Sequence, residues 1–137
     1  MPVKALFKPF HLGTLELPTR VVMAPMTRSF SPGGVPNSKV IEYYRRRAAA
    51  GVGLIITEGT TVGHKASNGY PNVPHFYGEA ALAGWKKVVD AVHAERPETS
   101  GRAVVHANGS HVRPDGTPEP VLDGRARRIA HAAASDR

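Results

Sequence analysis

The chain of 137 residues contains no cysteine, which excludes a disulfide framework and any thiolate-ligated metal centre. No segment comes near the roughly eighteen consecutive apolar residues of a membrane span. Met1 to Gly13, MPVKALFKPFHLG, has no unbroken apolar core of the kind a secretion signal carries. These two absences lead to the expectation of a cytoplasmic protein with no membrane partner. Acidic residues are scarce: 11 Asp and Glu face 18 Lys and Arg, a formal charge of +7. A surplus of that sign suits nucleic acid or another polyanion. It is spread along the chain, however, and its densest run, Arg45-Arg46-Arg47, falls on a predicted helix, where a solvated face is the simpler reading. No nucleic-acid partner is therefore expected. The seven His residues show no spacing such as H-E-x-x-H, so no metal site is read from them. Gly51-Val52-Gly53 precedes an apolar run instead of following one and lacks a third Gly, which excludes the dinucleotide-binding fingerprint.

Hydrophobic pattern and turn residues divide the first part of the chain into elements. Phe10-His11-Leu12 and Leu15-Glu16-Leu17 flank Gly13-Thr14, the pattern of a short hairpin. Val21-Val22-Met23-Ala24 is a continuous apolar run suited to a strand buried on both faces. Pro25 then removes a backbone donor and should end it. Ser31 to Asn37 is a loop by composition. Ser38 can cap a helix that carries Val40, Ile41, Tyr44 and Ala48 on one stripe, and Gly51 is placed as its C′ residue. Leu54 to Thr57 reads as a second buried strand. Thr60 to Gly78, rich in Gly, Pro and Asn, is a long loop of the kind that is functional or disordered. Glu79 to Glu95 is an amphipathic helix, with Leu82, Trp85, Val88, Val89 and Val92 spaced for one face. Strand, helix, strand, helix is the grammar of a parallel α/β sheet or barrel.

At Arg96 the composition changes. Every Phe, Tyr and Trp lies between Phe7 and Trp85, and the stretch from Arg96 to Arg137 has seven Arg, seven Ala, four Pro and no Lys. Two origins fit: a low-complexity, disordered tail, or out-of-frame translation of GC-rich coding sequence. The second is favoured because a third strand is due directly after the Trp85 helix, and only Arg102-Ala103-Val104-Val105 is left as a trace of one.

Ligands of parallel α/β sheets and barrels sit at the carboxyl ends of the strands, so Ala24-Pro25-Met26-Thr27 and Glu58-Gly59-Thr60 form the candidate site on topology alone. These segments lie within two longer runs, LELPTRVVMAPMTRS (Leu15 to Ser29) and EYYRRRAAAGVGLIITEGT (Glu42 to Thr60). Both runs resemble the opening of the old yellow enzyme family, the FMN-containing NADH:flavin oxidoreductases and ene-reductases. The resemblance covers about Leu6 to Glu95. It implies an α/β fold that is the N-terminal part of a (β/α)8 TIM barrel, truncated, because a whole barrel needs roughly 200 to 250 residues. The domain reading that follows is a partial FMN-binding barrel over 1–95 and an aberrant tail over 96–137.

In the family, NAD(P)H gives hydride to FMN, and the reduced flavin passes it to the β-carbon of an activated alkene while a protein acid supplies the proton. A flavin asks for a close-packed platform and for donors near its polar edge, where charge accumulates on reduction. The resemblance implies that Thr27 hydrogen-bonds the flavin, that the Gly59 backbone N–H approaches its edge, and that Ala24, Pro25 and Met26 supply the platform. Glu58 is read as a carboxylate oriented by a backbone amide or an Arg, not as a general base. Tyr43 and Tyr44 are read as packing residues, and Tyr70 as either a loop-packing aromatic or part of a substrate mouth. The family's substrate-anchoring His/Asn pair, proton-donating Tyr, third-strand Gln and flavin-gripping Arg residues find no positions here, so no catalytic residue is assigned. His106 and Asn108 imitate a substrate clamp but stand in the tail and receive no such role. The competing function is a non-enzymatic basic interaction piece or a complementing half-barrel, and an oligomer is compatible with either.

Overall fold

A computed structural model of the chain describes residues 3–13, 15–64, 67–68 and 70–95, together with the backbone of Val104–Asn108, His111–Val112 and Pro118–Glu119. After a 3-10 turn at Val3–Ala5, β1 (Phe10–Leu12) and β2 (Leu15–Leu17) form the expected antiparallel hairpin, with Phe10 opposite Leu17. The parallel sheet follows: β3 (Val22–Met23), β4 (Leu54–Gly59) and β5 (Val104–Asn108), in the order β3-β4-β5. Helix α1 (Ser38–Ala49) links β3 to β4, and α2 (Glu79–Ala94) links β4 to β5. Each strand lies beside its predecessor with no reversal of order, which is how a (β/α)8 barrel grows. Among the described residues the sheet is open and no barrel closes. Two short strands, β6 (His111–Val112) and β7 (Pro118–Glu119), pair antiparallel.

Helix α1 is capped by Asn37, not by Ser38. The Asn37 Oδ1 accepts from the backbone N–H of Lys39 and of Val40 at 3.0 and 3.2 Å, while its Nδ2 donates to the Phe30 carbonyl at 3.1 Å. The amide thus caps the helix with its oxygen and ties down the loop before it with its NH2 group. At the other end Gly51 takes φ +95°. Its N–H bonds the Ala48 carbonyl at 3.0 Å and that of Val52 bonds the Arg47 carbonyl at 3.2 Å, so the helix stops where the sequence places its C′ glycine.

Val40, Tyr44 and Ala48 on α1 pack with Trp85, Val88 and Val92 on α2 and with Ile55 and Phe76, all buried. Burying each of the large aliphatic and aromatic side chains contributes about 1.5–3 kcal/mol. The Trp85 indole N–H donates to the His75 carbonyl at 3.0 Å, so the core also anchors the end of the long loop. Gly84 lets α2 approach closely, since a Cβ there would stand 2.9 Å from the Pro36 carbonyl oxygen.

Three sequence expectations need correction. The first strand spans Val22–Met23 and not Val21 to Ala24; the Val21 carbonyl accepts from the N–H groups of Gly53, just before β4, and of Leu54, its first residue. Nor is it buried on both faces: Val22 is 49% exposed, whereas Met23 and Ile55, on the other face, pack against the helices. A third parallel strand does follow α2. It runs five residues, with Leu54 opposite Val104 and Ile56 opposite His106. Strand pairing is carried by the backbone ladder that β4 offers along its edge, so it needs less apolar sequence than the composition argument demanded. Apart from β5, β6 and β7, the proposed 96–137 tail lies outside the described residues.

Candidate functional site

The ends of β3 and β4 meet where topology predicts a ligand. Beyond Met23, Pro25 cannot donate to the ladder, and Ala24, Pro25, Met26 and Thr27 are exposed, Met26 by 54%. Beside them, Gly59 closes β4. A Cβ placed on Gly59 would stand 3.3 Å from the Thr27 Oγ1. The structure therefore brings together all five residues singled out from the sequence: a short apolar platform, a hydroxyl donor and a side-chain-free backbone at adjacent strand ends.

Directly behind this surface lies a buried polar cluster. Glu58 is 1% exposed, and its carboxylate accepts from four donor groups of two residues. The Arg28 backbone N–H donates to Oε2 at 3.2 Å, the Arg28 Nη2 and Nε donate to Oε1 at 2.6 and 3.2 Å, and the Tyr44 hydroxyl donates to Oε1 at 3.3 Å. The Glu58 backbone N–H donates in turn to the Tyr44 oxygen at 2.9 Å. Burial pushes the Tyr44 hydroxyl well above the ordinary tyrosine range, so it stays protonated and remains a donor. The Arg28 guanidinium stacks 3.6 Å from the centre of the Tyr43 ring, and that of Arg47 stacks 3.3 Å from it.

Glu58 is thus oriented by an amide and an arginine, as expected. The packing role expected of Tyr44 is incomplete, since it is also a hydrogen-bonding member of this cluster. Arg28 was missed. Its signal in the sequence was indirect: a glutamate at the end of a buried strand requires a cation.

The loop from Thr60 to Gly78 is stitched to the strand ends. The Thr61 N–H bonds the Pro74 carbonyl at 3.1 Å, the Phe76 N–H bonds the Thr61 carbonyl at 3.0 Å, and the Ser31 N–H bonds the Asn72 carbonyl at 2.9 Å. Tyr70 is 71% exposed and so is not a packing residue of this loop. In the Arg45 to Arg47 run, Arg45 pairs with Glu42 at 2.7 Å and with Glu95 at the end of α2, Arg47 donates to the Tyr43 carbonyl at 2.8 Å, and Arg46 is exposed, 3.8 Å from Glu42. Among the described residues no cluster of three or more His, Asp or Glu could hold a metal ion, and no helix is long and apolar enough to cross a membrane.

Comparison with known proteins places this geometry. The family model described as NADH:flavin oxidoreductase / NADH oxidase matches residues 5–126, reaching past Glu95, where the resemblance read from the sequence ends, and taking in β5. The 12-oxophytodienoate reductase 7 of Oryza sativa subsp. japonica is 49% identical over 90 residues, which is 66% of this chain and 22% of that protein. An Old Yellow Enzyme structure from Pichia sp. AKU4542 superposes with a TM-score of 0.64 at 33% identity, over 75% of this chain and 25% of that one. A structure of morphinone reductase in complex with tetrahydroNAD superposes with a TM-score of 0.63 at 30% identity, over 93% of this chain and 44% of that one. The chain spans less than a quarter of the length of the rice reductase it matches.

Proposed function

Because the chain belongs to the NADH:flavin oxidoreductase / NADH oxidase family, we propose that it forms the first wall of an FMN site in a reductase driven by NAD(P)H. The observation that carries this reading is the juxtaposition of the Thr27 hydroxyl and Gly59, 3.3 Å from Oγ1 to a Cβ placed on the glycine, beside an exposed Ala24-Pro25-Met26 platform. These residues fit a flat, partly polar ring: a side chain at Gly59 would fill the space beside the hydroxyl, and Ala24 and Pro25 keep the rest low. Thr27 donates a hydrogen bond, the Gly59 backbone N–H offers another, and Met26 supplies polarizable contact. Bound FMN would accept hydride from NAD(P)H and deliver it to an activated alkene, the small-molecule substrate class of this proposal. The wall supplied here holds and polarises, and it carries no acid or base for the proton.

The test is a full barrel in which residues 1–95 replace the corresponding stretch of morphinone reductase. It should purify with bound flavin and reduce an enone such as cyclohexenone with NAD(P)H. The 137-residue chain alone should neither hold FMN tightly nor turn over, because stabilising charge on the ring takes donors from several strands at once. A folded barrel that rejects FMN would remove the site assignment, and steady turnover by the chain alone would show that the wall needs no further strands.

A further inference from the structure

Resting on the flavin reading above, we infer that the Arg28–Glu58 pair is a positioning clamp that sets the spacing between the Thr27 hydroxyl and the Gly59 backbone. Each member of the pair is the immediate chain neighbour of one of the two ligand-facing residues. The bond from the Arg28 N–H to Oε2, at 3.2 Å, fixes the peptide unit that joins Thr27 to Arg28. The bond from the Glu58 N–H to the Tyr44 oxygen, at 2.9 Å, fixes β4 one residue before Gly59. Between these two anchored backbones runs the ion pair itself, 2.6 Å from Nη2 to Oε1, with the Arg28 side chain 13% exposed and that of Glu58 fully buried.

A β-bulge makes the arrangement possible. From Ile56 to Gly59 the strand advances three residues while its partner advances two, from His106 to Asn108, so β4 carries one extra residue between them. Strict alternation would put Glu58 on the face of Ile56, away from the helices. With the extra residue it meets Tyr44 of α1 instead, as bulges re-aim side chains beside functional sites. A buried ion pair is weak evidence of stabilisation, since apolar residues of similar size do as well or better. The backbone N–H in the carboxylate's coordination, and the placement one residue from each exposed group, fit a geometric role.

Glu58→Gln separates geometry from charge, because it weakens the ion pair that holds Arg28 and removes a negative charge, and these two effects move a flavin potential in opposite directions. Removal of a carboxylate by charge alone would raise the midpoint potential of a nearby flavin. Loosening of Thr27 would lower it, by loss of a donor that favours negative charge on the ring. In the full barrel described above, Glu58→Gln is expected to lower the potential, and the shift should vanish in a Thr27→Ala background. A raised potential, or the same shift in both backgrounds, would overturn the clamp. Tyr44→Phe, a milder change, should move the potential in the same direction by less. If the parent barrel holds no flavin, the flavin reading fails by itself, and the clamp is then decided in the flavin-free 137-residue chain. There Tyr44→Phe should move the Thr27 amide resonance while those of the β1–β2 hairpin stay in place, and a stationary Thr27 resonance would overturn it.

Discussion

The ends of β3 and β4 lie side by side yet are built in opposite ways. After β3 Ala24 to Thr27 are exposed, whereas at the end of β4 Thr57 and Glu58 are buried and Glu58 is hydrogen-bonded. Under the flavin reading proposed above, one end is the surface that meets the ligand and the other is the support that holds it. Ala24 to Thr27 are exposed and bury little on folding, while Arg28 and Glu58, one position from Thr27 and Gly59, belong to the folded interior. Substitutions on either side of that line should therefore separate stability from flavin chemistry.

The largest effect is expected deep on the supporting side. Trp85→Ala removes a side chain that is 4% exposed, together with its hydrogen bond to the His75 carbonyl. It should cost about 3–5 kcal/mol in denaturant unfolding. A loss below about 1 kcal/mol would show that the α1–α2 core does not hold the strand ends.

Next comes an alkaline effect from Tyr44. Its hydroxyl is raised above the ordinary value of 10.0 by burial, so above that pH the unfolded chain ionises this tyrosine while the folded chain keeps it neutral. Stability from this residue is thus fully present below pH 10 and declines as pH rises beyond it, by about 1.4 kcal/mol per pH unit. Tyr44→Phe should flatten that part of the stability profile, and an unchanged alkaline slope would place the hydroxyl in a wetter setting than the Glu58 cluster. A smaller loss, about 1 kcal/mol, is expected for Asn37→Ala through the cap of α1. Asn37→Ser should recover most of it if capping, and not the link to Phe30, is what matters. On the ligand side, Thr27→Ala should change unfolding by less than about 0.5 kcal/mol.

Much of this organisation was legible in the sequence because it is local. The hairpin announces itself through Gly13 between two apolar triplets, the end of α1 through Gly51, and the end of β3 through Pro25. Asn37 and Ser38 are both good capping residues, and only the Phe30 carbonyl, brought in by the loop, decides between them. The Arg28–Glu58 pair spans thirty residues, and the bulge that turns Glu58 toward Tyr44 is set by the register with β5. Neither leaves a mark in periodicity or spacing. The third strand escaped for the same reason, since its hydrogen bonds come from β4 and not from the propensity of residues 104–108. Thr27 and Gly59 do lie side by side, as expected of adjacent strand ends, because strand-end topology is a rule of the fold and not of the local sequence.

The most direct measurement of the central claim is the midpoint potential of FMN in the full barrel, compared between the parent and Thr27→Ala. A lower potential and slower reduction by the nicotinamide are expected in the variant, with the unfolding free energy unchanged within about 0.5 kcal/mol. An unchanged potential at full flavin occupancy would contradict that claim, leaving Thr27 a surface hydroxyl at the end of a strand.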